Sequence, residues 1–368
     1  MLNIGLSENK EAWNAAVIAL GGTLYHSWEW GETRASQGWR PWRVLAQEDE
    51  TPCAAVQFFE RRVPVIGATL LYAASGIAGH DTESSVVNPL AAWMGEFSVN
   101  RKAILVRLES RFEDQDKSRK ALLTSTGFRA LADQWSLWNL PRASMVIDIT
   151  SPEEELLRRM RRSHRAYINR AQRNGLKITA SNEVADLRAF YALLLKSSER
   201  QGFAVRDIRY FLHLREQLLT RGRGSVFLAE IGGQPVGGVL CAQFNSTCHN
   251  LYSGFDWIAR QAHTNEALHW SAISWARKSG CCRYDMGGAG TSYPPTEGSS
   301  GHGLYNFKKD FGAELVYSAG YFDLINRPAL YSALRFAETH TGWIAVAREL
   351  RSMTRRLFDS APTGGDDR

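Results

Sequence analysis

Arg283-Tyr284-Asp285-Met286-Gly287-Gly288-Ala289-Gly290, then a polar loop, then Gly303-Leu304-Tyr305-Asn306-Phe307-Lys308-Lys309-Asp310-Phe311-Gly312, is the stretch around which the chain is organised. Arg283–Met286 predicts a short strand. Gly287, Gly288 and Gly290 end it and let backbone come close to a ligand. The loop Thr291–His302, with Pro294-Pro295, is expected to be mobile. Tyr305–Phe311 predicts a short helix or turn that sets Lys308 and Lys309 at the loop's far edge. Phe307 and Phe311, four residues apart, share its inner face. A loop delivering a fixed cation beside a strand end is a common way to build a site in an α/β protein. A surface loop followed by an amphipathic turn fits the same residues.

Upstream, the chain repeats itself. Val44-Leu45-Ala46-Gln47, a turn, then Pro52-Cys53-Ala54-Ala55-Val56 matches Phe227-Leu228-Ala229-Glu230, a turn, then Pro235-Val236-Gly237-Gly238-Val239. Leu71-Tyr72-Ala73-Ala74-Ser75-Gly76 is echoed by Leu251-Tyr252-Ser253-Gly254. The offsets, 183 from Val44 to Phe227 and 180 from Leu71 to Leu251, nearly agree. Shared order and spacing predict duplication of one α/β unit. In the first copy, helices are expected at Glu8–Leu20 and Trp28–Gln37, and strands near Trp42–Gln47, Cys53–Arg61 and Thr69–Ala73. A helix near Leu90–Asn100, a strand Ala103–Leu108 and a helix Lys117–Thr126 stopped by Gly127 follow. Strands around Ser136–Leu140 and Met145–Ile149 close this unit, at 1-150.

Ser151-Pro152-Glu153-Glu154 opens the second unit as a helix start, with Ser as cap, Pro at the first helical position and Glu154 completing a capping box. The helix is expected to run to Gly175, with Leu156, Met160, His164, Tyr167 and Ala171 as its inward stripe. Its other faces carry Arg158, Arg159, Arg161, Arg162, Arg165, Arg170 and Arg173, seven arginines in sixteen residues. Glutamates first and arginines last suit the helix dipole. An arginine surface that meets phosphates is the second reading, and both stand. A strand Lys177–Ala180, helices Glu183–Arg200 and Ile208–Thr220, three strands within Val226–Phe255 and a helix Thr264–Lys278 lead back to the opening stretch. A strand Leu315–Phe322 and a helix from Pro328 to Phe358 end the unit, at 151-358, and residues 359-368 are expected to be disordered.

The 368 residues suit two domains, and 44% hydrophobic content supports a sizeable core. No apolar run approaches the ~18 residues of a membrane span. Charges within Met1–Ala12 exclude a signal peptide, so a cytoplasmic protein is expected. Cys53, Cys241, Cys248, Cys281 and Cys282 lack CxxC spacing and read as reduced, buried thiols. The net charge of +6 suits a polyanionic partner. There is no P-loop, no GxSxG elbow and no zinc spacing. Asp285 reads as an anchor for loop amides rather than a metal ligand. His249, His263 and His269 read as structural.

Helices and a run of antiparallel strands resemble the acetyltransferase fold, whose pyrophosphate turn contains glycines. The corresponding turn here, Asp256–Thr264, has none, which places acyl-CoA second among donors. The chain resembles the Fem family of aminoacyl-tRNA-dependent aminoacyltransferases in a set of motifs that span it in order. They are His26–Gly31 (HSWEWG), Ile104–Glu109 (ILVRLE), Ser163–Gly175, Glu199–Phe211 (ERQGFAVRDIRYF), Tyr284–Gly288 (YDMGG) and Phe307–Gly312 (FKKDFG). The resemblance implies an α/β (α+β) fold of two tandem acetyltransferase-like units, each a mixed, mainly antiparallel sheet flanked by helices.

It further implies that Lys308 is the essential lysine and that Arg206, with Tyr210, holds a substrate phosphate. Tyr252 then lines the substrate pocket, Arg34 is a further basic contact, and Glu109 stands where an acidic residue, often Asp, ends a first-unit strand. Glu109 is the candidate base. Arg158, Arg161, Arg162 and Arg165 would meet tRNA. The implied reaction is aminolysis of an aminoacyl-tRNA ester by a peptide-like or nucleotide-linked acceptor amine, in a cell-wall or natural-product pathway. No cofactor or metal is expected beyond the tRNA co-substrate, and the protein is expected to be a monomer. An acyl-CoA or acyl-carrier-dependent N-acyltransferase is the alternative.

Overall fold

The computed structural model describes residues 2–63, 66–79, 83–131, 142–173, 175–258, 263–288, 295–299 and 301–339, without the side chains of residues 172 and 339. The first half runs β1 (Leu2–Leu6), α1 (Lys10–Ala19), α2 (Trp28–Ala35), β2 (Arg40–Glu48), β3 (Thr51–Val63), β4 (Ala68–Ala73), β5 (Ile77–Ala78), α3 (Ser84–Asn100), β6 (Ala103–Glu113), α4 (Lys117–Ser125) and β7 (Arg129–Ala130). The second runs β8 (Ala143–Asp148), α5 (Glu153–Arg159), α6 (Arg162–Arg173), β9 (Lys177–Ser181), α7 (Val184–Gln201), α8 (Ile208–Gln217), β10 (Gly224–Ile231), β11 (Gln234–Phe244) and β12 (Thr247–Phe255). It ends with α9 (Thr264–Lys278), β13 (Arg283–Asp285), α10 (His302–Asp310), β14 (Glu314–Ile325) and α11 (Pro328–Thr339).

The duplication extends to a shared irregularity. In each half three antiparallel strands, β2-β3-β4 or β10-β11-β12, are followed by a helix and a strand parallel to the third, β6 or β13. The first hairpin slips its register between Ala46 and Gln47, the second between Ala229 and Glu230, with Pro52 and Pro235 opposite the slips. Proline has no amide to give the ladder, so a bulge is where a strand tolerates it. Both turns put two central residues at positive φ, Asp49 and Glu50 (47° and 66°) or Gly232 and Gly233 (57° and 76°). That geometry matches the twist of the flanking strands.

The strand around Met145–Ile149, expected to close the first unit, belongs elsewhere. β8 pairs with β13 and with Glu314–Tyr317 of β14, so it sits in the second sheet. From Ser318 onward β14 pairs instead with β6 of the first sheet. The strand order is therefore continuous, β1-β2-β3-β4-β6-β14-β8-β13-β12-β11-β10-β9. A twelve-residue β14 is long enough to serve both sheets, and hydrogen bonding runs across the division at residue 150.

The single helix expected from Ser151 to Gly175 is two. Met160 takes an extended conformation (ψ 150°), and the Arg161 amide donates to Asp310 O at 2.8 Å instead of continuing the helix. Arg165 turns back to donate to the carbonyls of Leu157 and Arg158, capping α5. The expected capping box does not form: Pro152 holds the cap position, without a side-chain bond. The stripe survives the break, with Leu156, Met160, His164 and Ala171 buried, Tyr167 half-buried and Ile168 added to it. β1, which pairs with β2, was not expected.

The expected strand Ser136–Leu140, loop residues 291–294 and 300, turn residues 259–262 and everything after 339 lie outside the described residues. Cys241, Cys248 and Cys281 are buried free thiols, whereas Cys282, expected to be buried, is exposed. No described helix is long and apolar enough to cross a membrane. The largest core joins the halves, packing Trp13, Phe59 and Tyr72 of the first against Phe190, Phe211 and Leu240 of the second. Where β12 crosses α7, a Cβ on Gly254 would lie 2.5 Å from the Leu194 amide, so this approach requires glycine.

Candidate active site

β12 and β13 pair over three residues, Thr247–His249 against Arg283–Asp285. β13 then ends in the turn at Gly287 (φ 75°) while β12 runs on to Phe255. α10 lays Lys308 into the gap, pinned through Phe311, which is buried and packs on Phe307 with ring centres 5.3 Å apart. The Lys308 ammonium, 6% exposed, donates to Met286 O (2.5 Å), Gly287 O (3.1 Å) and Gly288 O (2.6 Å). All three of its protons are thereby committed to the strand-end turn. Burial pulls its pKa down to about 8 against the opposing anion of Asp285.

Asp285 anchors that turn. Its carboxylate accepts the Gly287 amide at 2.8 Å and lies 3.3 Å from His249 Nδ1. Burial pushes the carboxyl up, but His249, Arg111 and the Gly287 amide outweigh it and hold it below the usual carboxylate range. His249 thus helps to hold the carboxylate that anchors the turn, a structural role. His269, held neutral with its pKa pushed down to about 3 by burial and Lys308, lies 3.3 Å from the Tyr284 hydroxyl. His263 stacks on Tyr167 at 3.7 Å. On the α9 side of β12 a cleft of about 630 Å³ is lined by Lys308, Phe307, Asn250, Ser253, Glu266 and His269 among others.

The opposite side of β12 faces the first half, and there the structure brings four of the expected residues together. Arg34 of α2 and Arg206 of the α7–α8 connection both donate to Gln37 Oε1, at 3.3 and 2.6 Å. The Arg206 guanidinium lies over the Tyr210 ring at 4.9 Å, and the Tyr252 hydroxyl donates to that of Tyr210 at 3.3 Å. Arg34 is buried over Trp39 at 4.9 Å. Burial and then the like charge of Arg206 pull its pKa down to about 10. Among the described residues neither arginine is ion-paired. Two guanidinium groups held together without a carboxylate suit a ligand anion.

Glu109 is buried on β6, accepts from the Tyr72 hydroxyl and lies 3.8 Å from Arg111. Arg111 in turn interacts with Glu109, Tyr25 and Asp285. Glu109, Arg111, Asp285 and Lys308 therefore form one charged series from the first half into the second. Arg111 was missed in the sequence, although it stands two residues beyond Glu109 and so faces the same way along the strand. Of the arginines assigned to tRNA, Arg158 pairs with Glu155 (2.7 Å), Arg161 with Asp310 (3.1 Å) and Arg165 caps α5. Arg162 is exposed and has no ion pair among the described residues.

Two sheets built on one plan, each with one adjacent pair of parallel strands, define an acyltransferase fold in two copies. Residues 158–308 match the acetyltransferase (GNAT) domain. A tandem GNAT protein from the clavulanic acid biosynthesis pathway shares the fold (TM-score 0.53, 9% identity, 88% of this chain and 98% of that one). The crystal structure of FemX is far more similar, with a TM-score of 0.82 at 21% identity over 90% of this chain and 99% of that one. Residues 18–232, more than half of the chain, match the FemAB family, and the protein belongs to that family. Its chemistry is group transfer. The Lipid II:glycine glycyltransferase of Staphylococcus epidermidis is 23% identical over 376 residues, covering 84% of this chain and 89% of the relative.

Proposed function

We propose that the protein transfers an aminoacyl group from aminoacyl-tRNA to an amine of a peptide-like acceptor, with a peptidoglycan precursor favoured over a natural-product intermediate. The observation that carries this reading is the buried Lys308 ammonium, set between a cleft on one side of β12 and, on the other, a pair of arginines that no described carboxylate meets. Relatives described as acting on lipid II point to a peptidoglycan precursor as acceptor. The donor ester enters the cleft. Arg34, Arg206, Tyr210 and Tyr252 hold an acceptor phosphate. The acceptor nitrogen attacks the ester carbonyl, a C–N bond forms, the ester C–O bond breaks, and the released hydroxyl takes a proton. Lys308 offsets the oxyanion by exchanging one loop carbonyl for the substrate oxygen. Glu109, which accepts from Tyr72 and lies beside Arg111, in this reading orients the amine rather than taking its proton, which passes to water. In this reading the protein works as a cytoplasmic monomer and needs no cofactor beyond the charged RNA.

The test supplies the purified protein with charged tRNAs or acyl-CoA, and with nucleotide-linked muropeptides. An RNase-sensitive amide product is expected, and Lys308→Ala lowers kcat about 10²- to 10³-fold. Product that forms without RNA, or an unimpaired Lys308→Ala enzyme, refutes the reading.

A further inference from the structure

Four large apolar side chains are exposed here: Phe203 (41%), Trp257 (56%) with its chain neighbour Ile258 (54%), and Leu304 (48%). Three of them, Phe203, Trp257 and Leu304, line the cleft that also holds Lys308, and Arg200 lines it beside them. Exposed apolar groups gathered at a cleft mark a contact surface. α10 connects this rim to the arginine-rich segment: Leu304 lies near its start and Asp310, paired with Arg161 at 3.1 Å, at its end. At 1.5 Å per residue those two positions are about 9 Å apart along the helix. Exposed Arg162 lies at the start of α6, next to Arg161. Arg200 and, across α10, the exposed Arg162 thus stand near aromatic faces at the entrance to the site, whose lining also includes Glu266 and the Lys196-paired Asp256.

Aromatic faces beside arginines are the means by which unpaired nucleotides are held, because every base has a face to stack and every backbone a charge to meet. A bilayer also accepts Trp, Ile, Leu and Phe. Lying across these residues, it would shut the cleft against a donor the size of RNA. We infer that Trp257 and Phe203 form a stacking platform for the unpaired bases at the 3′ end of the donor RNA, which lead the aminoacyl ester in toward Lys308. The inference rests on the tRNA-dependent reading above.

The experiment measures binding of a labelled RNA hairpin with a short single-stranded 3′ overhang against its blunt counterpart, by fluorescence anisotropy with the full-length protein. Tighter binding of the overhang is expected. Trp257→Ala and Phe203→Ala each weaken it about tenfold, leave the blunt hairpin and the melting temperature unchanged, and Trp257→Phe restores it. The same variants raise the KM for aminoacyl-RNA and leave the acceptor KM unchanged. Equal binding of the two hairpins by wild type, or full overhang affinity in both alanine variants, overturns the inference while leaving RNA-dependent transfer standing. Loss of binding to anionic phosphatidylglycerol vesicles in Trp257→Ala, with overhang affinity intact, assigns the rim to a membrane and overturns it as well. A wild-type protein that prefers the overhang but transfers nothing from aminoacyl-RNA refutes the proposed function and supports the platform.

Discussion

Asp285→Asn separates the charge of this carboxylate from its shape. The amide oxygen still accepts the Gly287 N–H, now at 2.8 Å, so the turn that cages Lys308 keeps its anchor while the anion is gone. In the wild type, burial sets the Lys308 pKa at about 8 with Asp285 opposing the fall. At pH 7 the ammonium then outnumbers the amine by about ten to one, and the ratio inverts near pH 9. Activity that depends on the ammonium is full below pH 8 and is lost as pH rises through it. Removing the opposing anion lowers the pKa further, on the order of one unit for a neighbouring opposite charge. The alkaline limb of kcat should move from about pH 8 to about pH 7, and kcat at pH 7 should fall about twofold from titration alone. The assay is single-turnover transfer from aminoacyl-RNA across this range, with donor and acceptor saturating and spontaneous ester hydrolysis subtracted. The acid limb, set by the acceptor amine, should not move. An alkaline limb that stays in place, or shifts upward, refutes the claim that the titrating group is Lys308 under the influence of Asp285.

Arg206→Ala should raise the acceptor KM roughly tenfold to hundredfold with little change in kcat, because it removes a charged hydrogen-bond donor from the Gln37-linked pair. Steady-state kinetics with a nucleotide-linked acceptor check this, and an unchanged KM removes Arg206 from the phosphate site. Arg162→Ala should reduce the slope of log affinity for tRNA against log salt by about one, whereas Arg165→Ala, whose side chain caps α5, should lower stability instead. Gly254→Ala should destabilise the protein by ~1–3 kcal/mol, since the new Cβ meets the Leu194 backbone at 2.5 Å; denaturant unfolding measures it.

Local pattern carried the hairpins a long way. The 183-residue offset recovers the matched register slips at Ala46/Gln47 and Ala229/Glu230 as well as the strands. The gathering of Arg34, Arg206, Tyr210 and Tyr252 came from family resemblance, because nothing in spacing alone places α2 beside the α7–α8 connection. The interruption at Met160 was hidden: the buried stripe continues on both sides of it, and the cause is a carbonyl of Asp310 far along the chain. Arg165 looked like free surface charge for the same reason, since its acceptors are backbone carbonyls seven and eight residues back, beyond the break. The cage around Lys308 is likewise made of backbone oxygens, which no side-chain motif records. The membership of β8 was unreadable because alternation along a strand is the same whichever sheet receives it.

The sharing of β14 between the two sheets has an energetic consequence for where the molecule divides. Arg107, fully buried on β6, donates to both carboxylate oxygens of Asp323 (2.8 and 2.7 Å) on β14 and to Glu338 (2.7 Å) on α11. A fragment ending at residue 150 keeps the guanidinium and loses both carboxylates. It also leaves β6 without the β14 ladder and β8 with neither neighbour. Stranding one member of a buried ion pair costs ~3–5 kcal/mol, against a total stability of about 5–15 kcal/mol for a domain. Fragment 1–150 alone should therefore show no cooperative melt, and adding fragment 151–368 should restore one. In the intact chain Arg107→Met, which strands the buried Asp323 carboxylate and leaves Glu338 with Arg335 alone, should cost a similar ~3–5 kcal/mol. A fragment 1–150 that melts cooperatively by itself would mean that the first sheet is complete without β14, and that the charged triad holds two finished domains together instead of finishing one of them.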